Sequence, residues 1–149
     1  MDAGSTAALI CDTSALLDYI VKSAPDHRRF RRAIDRARTR YVPGLVLAEL
    51  DYFLRQHRPA MRLFMRDLAR GAFTYAAPTP DLLKRAMNID ERYAHLGLGL
   101  VDASIVALAD DLGVPRIATR DIRHFLAVRL QGGRPFELVV YPSDPDRGD

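Results

Sequence analysis

Short apolar runs alternate along this chain with segments whose apolar residues recur at helical spacing, and that alternation restricts the fold more than any other feature. Ala7 to Cys11 reads as a first buried strand. Leu16, Leu17, Ile20 and Val21 then repeat at helical spacing, as do Phe30, Ala33, Ile34 and Ala37 after the Pro25-Asp26 entry. Tyr41-Val42 forms a second short strand, followed by helices from about Leu45 to Gln56 and from Pro59 to Ala69. Ala72 to Ala76 is a third strand. Pro80 opens a helix through about Tyr93, and another spans Val101 to Leu112 with Gly113 closing it. Pro115 to Ala118 and Phe136 to Tyr141 supply the fourth and fifth strands, with a short helical piece from Ile122 to Val128 between them. Strands separated by helical crossovers imply a parallel sheet covered by helices on both faces, with right-handed connections. The expected class is an α/β sandwich.

A chain of 149 residues makes one domain, expected over residues 7–141 between a short N-terminal tail (1–6) and a flexible C-terminal one (142–149). With 48% hydrophobic and 28% charged residues, wholesale disorder is excluded. The lone cysteine, Cys11, excludes a disulfide framework and suits a reducing compartment. No apolar stretch approaches the roughly 18 residues of a membrane helix. The apolar N-terminal patch has no basic residue before it and runs straight into Asp12, so it does not read as a signal peptide. The expected location is the cytoplasm, with no membrane partner.

Ligands of an open parallel sheet bind beyond the carboxyl ends of its strands, so the polar residues expected there carry the chemistry. Asp12 follows the first strand in Asp12-Thr13-Ser14, where it can equally be a helix N-cap. Glu49 lies among Leu45, Val46, Leu47, Ala48 and Leu50, and shares a helical face with Leu45 and Phe53. A carboxylate on an apolar stripe needs a proton, a hydrogen-bond partner or a cation. Asp102 opens a helix whose inward stripe continues through Ile105, Ala109 and Leu112, a position the helix dipole also favours. Asp121 follows the fourth strand, where a cap or turn role is also available.

Four carboxylates gathered at one end of a sheet repel one another unless a cation bridges them. A hard, oxygen-seeking cation suits this set: Mg²⁺, with Mn²⁺ able to substitute. Such an ion fits phosphoryl chemistry, since it polarises a phosphodiester and lowers the pKa of a bound water. Other chemistries lack their residues. His27, His57, His95 and His124 are scattered, read as surface or internally satisfied, and form no zinc set with the single cysteine. Gly97-Leu98-Gly99 lacks the lysine of a phosphate loop. No serine stands in a recognisable hydrolase motif.

The stretch Asp12-Thr13-Ser14-Ala15-Leu16, then Glu49, then Asp102 through Ala109, then Thr119-Arg120-Asp121-Ile122-Arg123-His124-Phe125 resembles the PIN-domain nucleases, and within them the VapC-type toxins of bacterial toxin–antitoxin pairs. The resemblance covers about residues 7 to 141. It implies a Rossmann-like sandwich with a five-stranded parallel sheet, Mg²⁺-dependent endoribonuclease activity on structured RNA such as tRNA or rRNA, and a homodimer. It also implies a VapB-like antitoxin whose C-terminal segment occupies the acidic groove. Carried over by motif, Asp12 and Asp102 are the principal metal ligands, Glu49 and Asp121 complete the acidic cluster, and Ser14 and Thr119 are supporting hydroxyls. One departure concerns Glu49: many relatives carry a hydroxyl residue shortly before it, whereas Leu45 to Ala48 are all apolar here.

Phosphates need a positive surround. Of the 22 basic residues, 20 are arginines, which follows either from GC-rich codon usage or from phosphate recognition. Arg28, Arg29 and Arg32 lie opposite the apolar face of the second helix and serve RNA, an antitoxin or only solvent. Two other function classes compete. A PIN-like scaffold that binds RNA or a partner without cutting is the runner-up, and only the completeness of the four acids argues against it. A receiver-type signalling domain needs a lysine after a late strand, but Lys22 and Lys84 both fall within helical segments.

Overall fold

The computed structural model describes residues 7–143; the expected N-terminal tail and residues 144–149 of the C-terminal one lie outside it. Five strands, β1 (Leu9–Cys11), β2 (Arg40–Pro43), β3 (Thr74–Ala76), β4 (Arg116–Ala118) and β5 (Glu137–Leu138), form one sheet in the order β3-β2-β1-β4-β5. Every neighbouring pair is parallel. Seven α-helices cover it: α1 (Thr13–Ile20), α2 (His27–Arg36), α3 (Gly44–Phe53), α4 (Arg58–Ala69), α5 (Pro80–Arg92), α6 (Gly99–Leu112) and α7 (Ile122–Ala127). The chain is thus the α/β sandwich its alternation predicts.

The centre of the sheet explains the most apolar runs. Leu9, Ile10 and Cys11 are fully buried, as expected of a strand with helices over both faces. Burial pushes the Cys11 thiol up to about 12. The ladders are shorter than the apolar runs: beyond Leu138, for instance, pairing continues only as Val139 N–H donating to the Ile117 carbonyl at 3.1 Å. In α6 every residue from Ala103 to Ala109 is buried; its small side chains let it pack closely under α5, and Gly113, with φ +66°, ends it in the left-handed turn expected of a C-cap.

Strand order reverses between β1 and β4, which are neighbours in register Ile10↔Ile117 and Cys11↔Ala118. That is the topological switch point, where the connections leave in opposite directions and open a crevice at the strands' carboxyl ends. Behind it, Arg120 Nη1 bonds to Asp18 Oδ2 at 2.6 Å and to Asp26 Oδ2 at 2.8 Å. Ser143, within the expected C-terminal tail, donates to the same Asp26 carboxylate through its backbone N–H and its hydroxyl, each at 2.8 Å.

Candidate metal centre at the carboxyl ends of the strands

Asp12 directly follows β1 at the switch point, 5% exposed. Its backbone N–H donates to the Ala118 carbonyl at 2.9 Å, fixing it against the end of β4. One carboxylate oxygen does the work of an N-cap, accepting Thr13 N–H at 2.8 Å. The other accepts the Thr119 hydroxyl at 2.7 Å. Thr119, fully buried, in turn accepts Asp121 N–H at 3.0 Å, so one hydroxyl ties the ends of β1 and β4 together. Ser14 Oγ accepts Arg120 N–H at 2.9 Å and lies 3.5 Å from both Asp12 Oδ2 and Thr119 Oγ1.

Glu49 sits on α3 in a different setting from the one its sequence stripe implies. The buried face of α3 and its C-cap is Val46, Leu50 and Leu54, whereas Phe53 is 51% exposed and Leu45 only half-buried. Because α3 is apolar almost all round, its sequence does not mark which stripe is the core. Glu49 is partly exposed, and its partner is the Thr13 hydroxyl, which donates to Oε1 at 2.6 Å. A hydroxyl from α1 thus stands beside Glu49, where Leu45 to Ala48 of α3 offer none.

Asp102, in the first turn of α6, and Asp121, the N-cap of α7, converge on His124, which the sequence reading left among the surface or internally satisfied histidines and outside the site. His124 Nδ1 lies 2.9 Å from Asp102 Oδ2 and 2.7 Å from Asp121 Oδ2, while Nε2 lies 3.0 Å from the Leu96 carbonyl oxygen. With acceptors at both nitrogens, the ring is placed as a doubly protonated imidazolium. The signal was local: three residues after an N-cap, a side chain returns to the face of that cap, as His124 N–H donating to Asp121 Oδ1 at 3.1 Å records. One donor atom each from Asp102, Asp121 and His124 all lie within 4.8 Å of one another. Asp12 and Glu49 fall outside that compact set.

Crowding shows in the acidities. Burial pushes Asp12 up to about 6; the Thr119 and Thr13 hydrogen bonds oppose this, and the charges of Glu49 and Asp121 add to it. Asp102 is pushed up to about 7 by burial and by the charge of Asp12, with the His124 bond pulling the other way. His124 is raised despite its own partial burial, because Asp102 and Asp121 favour its charged form. Carboxylate oxygens held in mutual repulsion are the donor set a hard divalent cation takes, so the acids fit such an ion, with His124 a counter-charge beside them.

Arg28, Arg29 and Arg32 are exposed on α2, whose Phe30 and Ile34 are buried, and none contacts the acidic residues above. Arg29 bonds to Asp26 at 3.2 Å.

The sequence profile of the PIN domain matches residues 9–129. The chain is 37% identical over 134 residues, 88% of its length, to a Mycobacterium tuberculosis protein named Ribonuclease VapC26, 99% of which is covered. Its fold is similar to that of M. tuberculosis VapC20, described as a sarcin-ricin loop cleaving toxin, at TM-score 0.66 and 20% identity over 73% of this chain and 86% of that one. A toxin–antitoxin complex from Klebsiella pneumoniae gives 0.64 and 21% over 80% and 92%. VapBC2 of Rickettsia felis, bound to a DNA fragment from its promoter, gives 0.63 and 16% over 88% and 98%. The fold, the strand-end acids and the relatives agree: this chain belongs to the PIN-domain family, within its VapC group.

Proposed function

We propose that this protein is a metal-dependent endoribonuclease toxin that acts in the cytoplasm, hydrolyses phosphodiester bonds in structured RNA, and is restrained by a VapB-like antitoxin. The observation that carries the reading is the gathering of Asp12, Glu49, Asp102 and Asp121 at the switch point, two of them held above their ordinary acidity. The relative named a ribonuclease supports RNA as substrate, and the toxin–antitoxin assemblies of the same fold support an antitoxin; the homodimer rests on the family resemblance alone.

Asp12 and Asp102 would hold Mg²⁺ (or Mn²⁺), with Glu49 and Asp121 completing the cluster. When bound, the ion supplies charge that polarises the scissile phosphate and acidifies water. The chain's own groups supply position. Thr119 and Thr13 N–H fix both oxygens of Asp12, which holds that carboxylate in one orientation. Thr13 orients Glu49 toward a water's proton. Ser14 braces Thr119 and the Arg120 backbone, keeping the ends of β1 and β4 in register. Water attack leaves a 5′-phosphate and a 3′-hydroxyl.

One observation favours a second reading, a scaffold that binds RNA or a partner without cutting: His124 bridges Asp102 and Asp121 as an internal cation. Expression separates the two. Induction of the wild-type chain in a bacterium stops growth and Asp102→Asn does not; equal growth arrest by both supports the scaffold.

A further inference from the structure

A groove of about 360 Å³ runs between α2 and the segment after β5, lined by Arg29, Arg32, Arg36, Arg116, Val140 and Tyr141 among others. No carboxylate among the described residues lines it. The three helical arginines recur at i, i+3 and i+7, one face of α2. At 1.5 Å per residue the outer two are about 10 Å apart along the helix axis. Arg116 enters from the first position of β4. Its Nε is the single buried side-chain nitrogen or oxygen without a hydrogen-bond partner among the described residues. A buried N–H without an acceptor is costly, so Arg116 leaves the groove a donor to be matched. Arg32, Arg36 and Arg116 make no salt bridge among the described residues, whereas Arg40, Arg58, Arg85 and Arg120 do.

The groove is connected to the acidic crevice. Arg29 bonds to Asp26, Asp26 bonds to Arg120, and Arg120 stands between Thr119 and Asp121. We propose that this groove binds the phosphodiester backbone of the RNA, at a distance from the bond being cut; the assignment rests on the ribonuclease reading above. Guanidinium forks match phosphate oxygens in pairs. Tyr141, 56% exposed at the rim, offers a ring on which a base can stack. An acidic peptide is the competing occupant.

The test is anisotropy of a fluorescein-labelled single-stranded RNA of mixed sequence, in EDTA to prevent cleavage, across a series of NaCl concentrations. Arg32→Gln/Arg36→Gln is compared with wild type and with a charge-matched control outside the groove, Arg66→Gln/Arg70→Gln. Loss of two phosphate contacts lowers the slope of log affinity against log salt by about 1.4, and affinity by roughly 25-fold near 0.1 M salt. The control keeps both. Equal losses in the two pairs mean a net-charge effect and overturn the groove. RNA binding unchanged in Arg32→Gln/Arg36→Gln, with loss of poly-glutamate binding, assigns the groove to an acidic protein and also overturns the proposal. If the wild-type chain binds the RNA normally and the variant does too, the groove fails while the ribonuclease reading stands. A wild type that neither binds this RNA nor cleaves total RNA in Mg²⁺ removes both.

Discussion

Asp12 and Asp102 are placed where their own charges oppose folding. Their folded-state acidities, about 6 and about 7, lie above those of an unfolded chain. Between those limits the folded protein therefore binds more protons than the unfolded one, and stability falls as pH rises through the window. His124, raised by the same acids, acts in the same direction, since its charged-state contribution is lost as pH rises through its folded value. The metal-free protein should accordingly melt higher at pH 5 than at pH 8, with Mg²⁺ narrowing the gap. Asp102→Asn, which still accepts from His124, should raise the metal-free melting temperature at pH 8 by about 5 °C; a lower one contradicts the repulsion argument. Asp26 behaves oppositely. Burial pushes it up, but hydrogen bonds from Arg120, Ser143 and Arg29 prevail and hold it at about 2. Its contribution is present above the unfolded value and is lost as pH falls toward 2. Asp26→Ala, which strands part of the Arg120 charge, should cost about 3 kcal/mol in urea denaturation. At this scale Asp12, Asp102 and Asp121 were legible because each follows a strand or opens a helix, and Glu49 because it interrupts an apolar run. His124 was not, because its other acceptors, Asp102 and the Leu96 carbonyl, come from segments that only the tertiary fold brings near.

Helices were the most legible elements and strand lengths the least. The apolar period of α1, α2 and α5 identifies them, and Gly113 marks the end of α6. The expected six-residue final strand pairs over two residues, Glu137–Leu138, because backbone pairing with β4 rather than hydrophobicity sets its length. The orientation of α3 was illegible for the opposite reason: an all-round apolar helix carries no amphipathic signal. Its placement depends instead on its first residue. A Cβ on Gly44 would collide with Pro78 Cδ and approach the Tyr75 hydroxyl to 3.0 Å. Gly44→Ala should therefore push α3 away from β3 and cost about 1–3 kcal/mol by overpacking. Since Glu49 rides on α3, the variant should also weaken RNA cleavage at temperatures where it remains folded, and unchanged cleavage and stability would show that α3 tolerates the shift.

For the molecule as a whole, the α/β class follows from the sequence, but the strand order does not, because the neighbours of β1 are set by pairings across about thirty and about a hundred residues. That order creates the crevice: it puts β1 beside β4, and so Asp12 beside Thr119 and Asp121, where the strand order of the described residues reverses. Acid is concentrated at this crevice and arginine along α2, which gives the molecule one end suited to a cation and a flank suited to phosphates. The most direct measurement is to map new 5′ ends in total RNA from the protein's own source after incubation with the antitoxin-free chain. Mg²⁺ is compared with EDTA, and Asp12→Asn and Asp102→Asn run in parallel. Discrete ends that need Mg²⁺ and vanish in both variants are the predicted result. Ends that persist equally in EDTA or in both variants would place the chemistry elsewhere and contradict the acidic-cluster account.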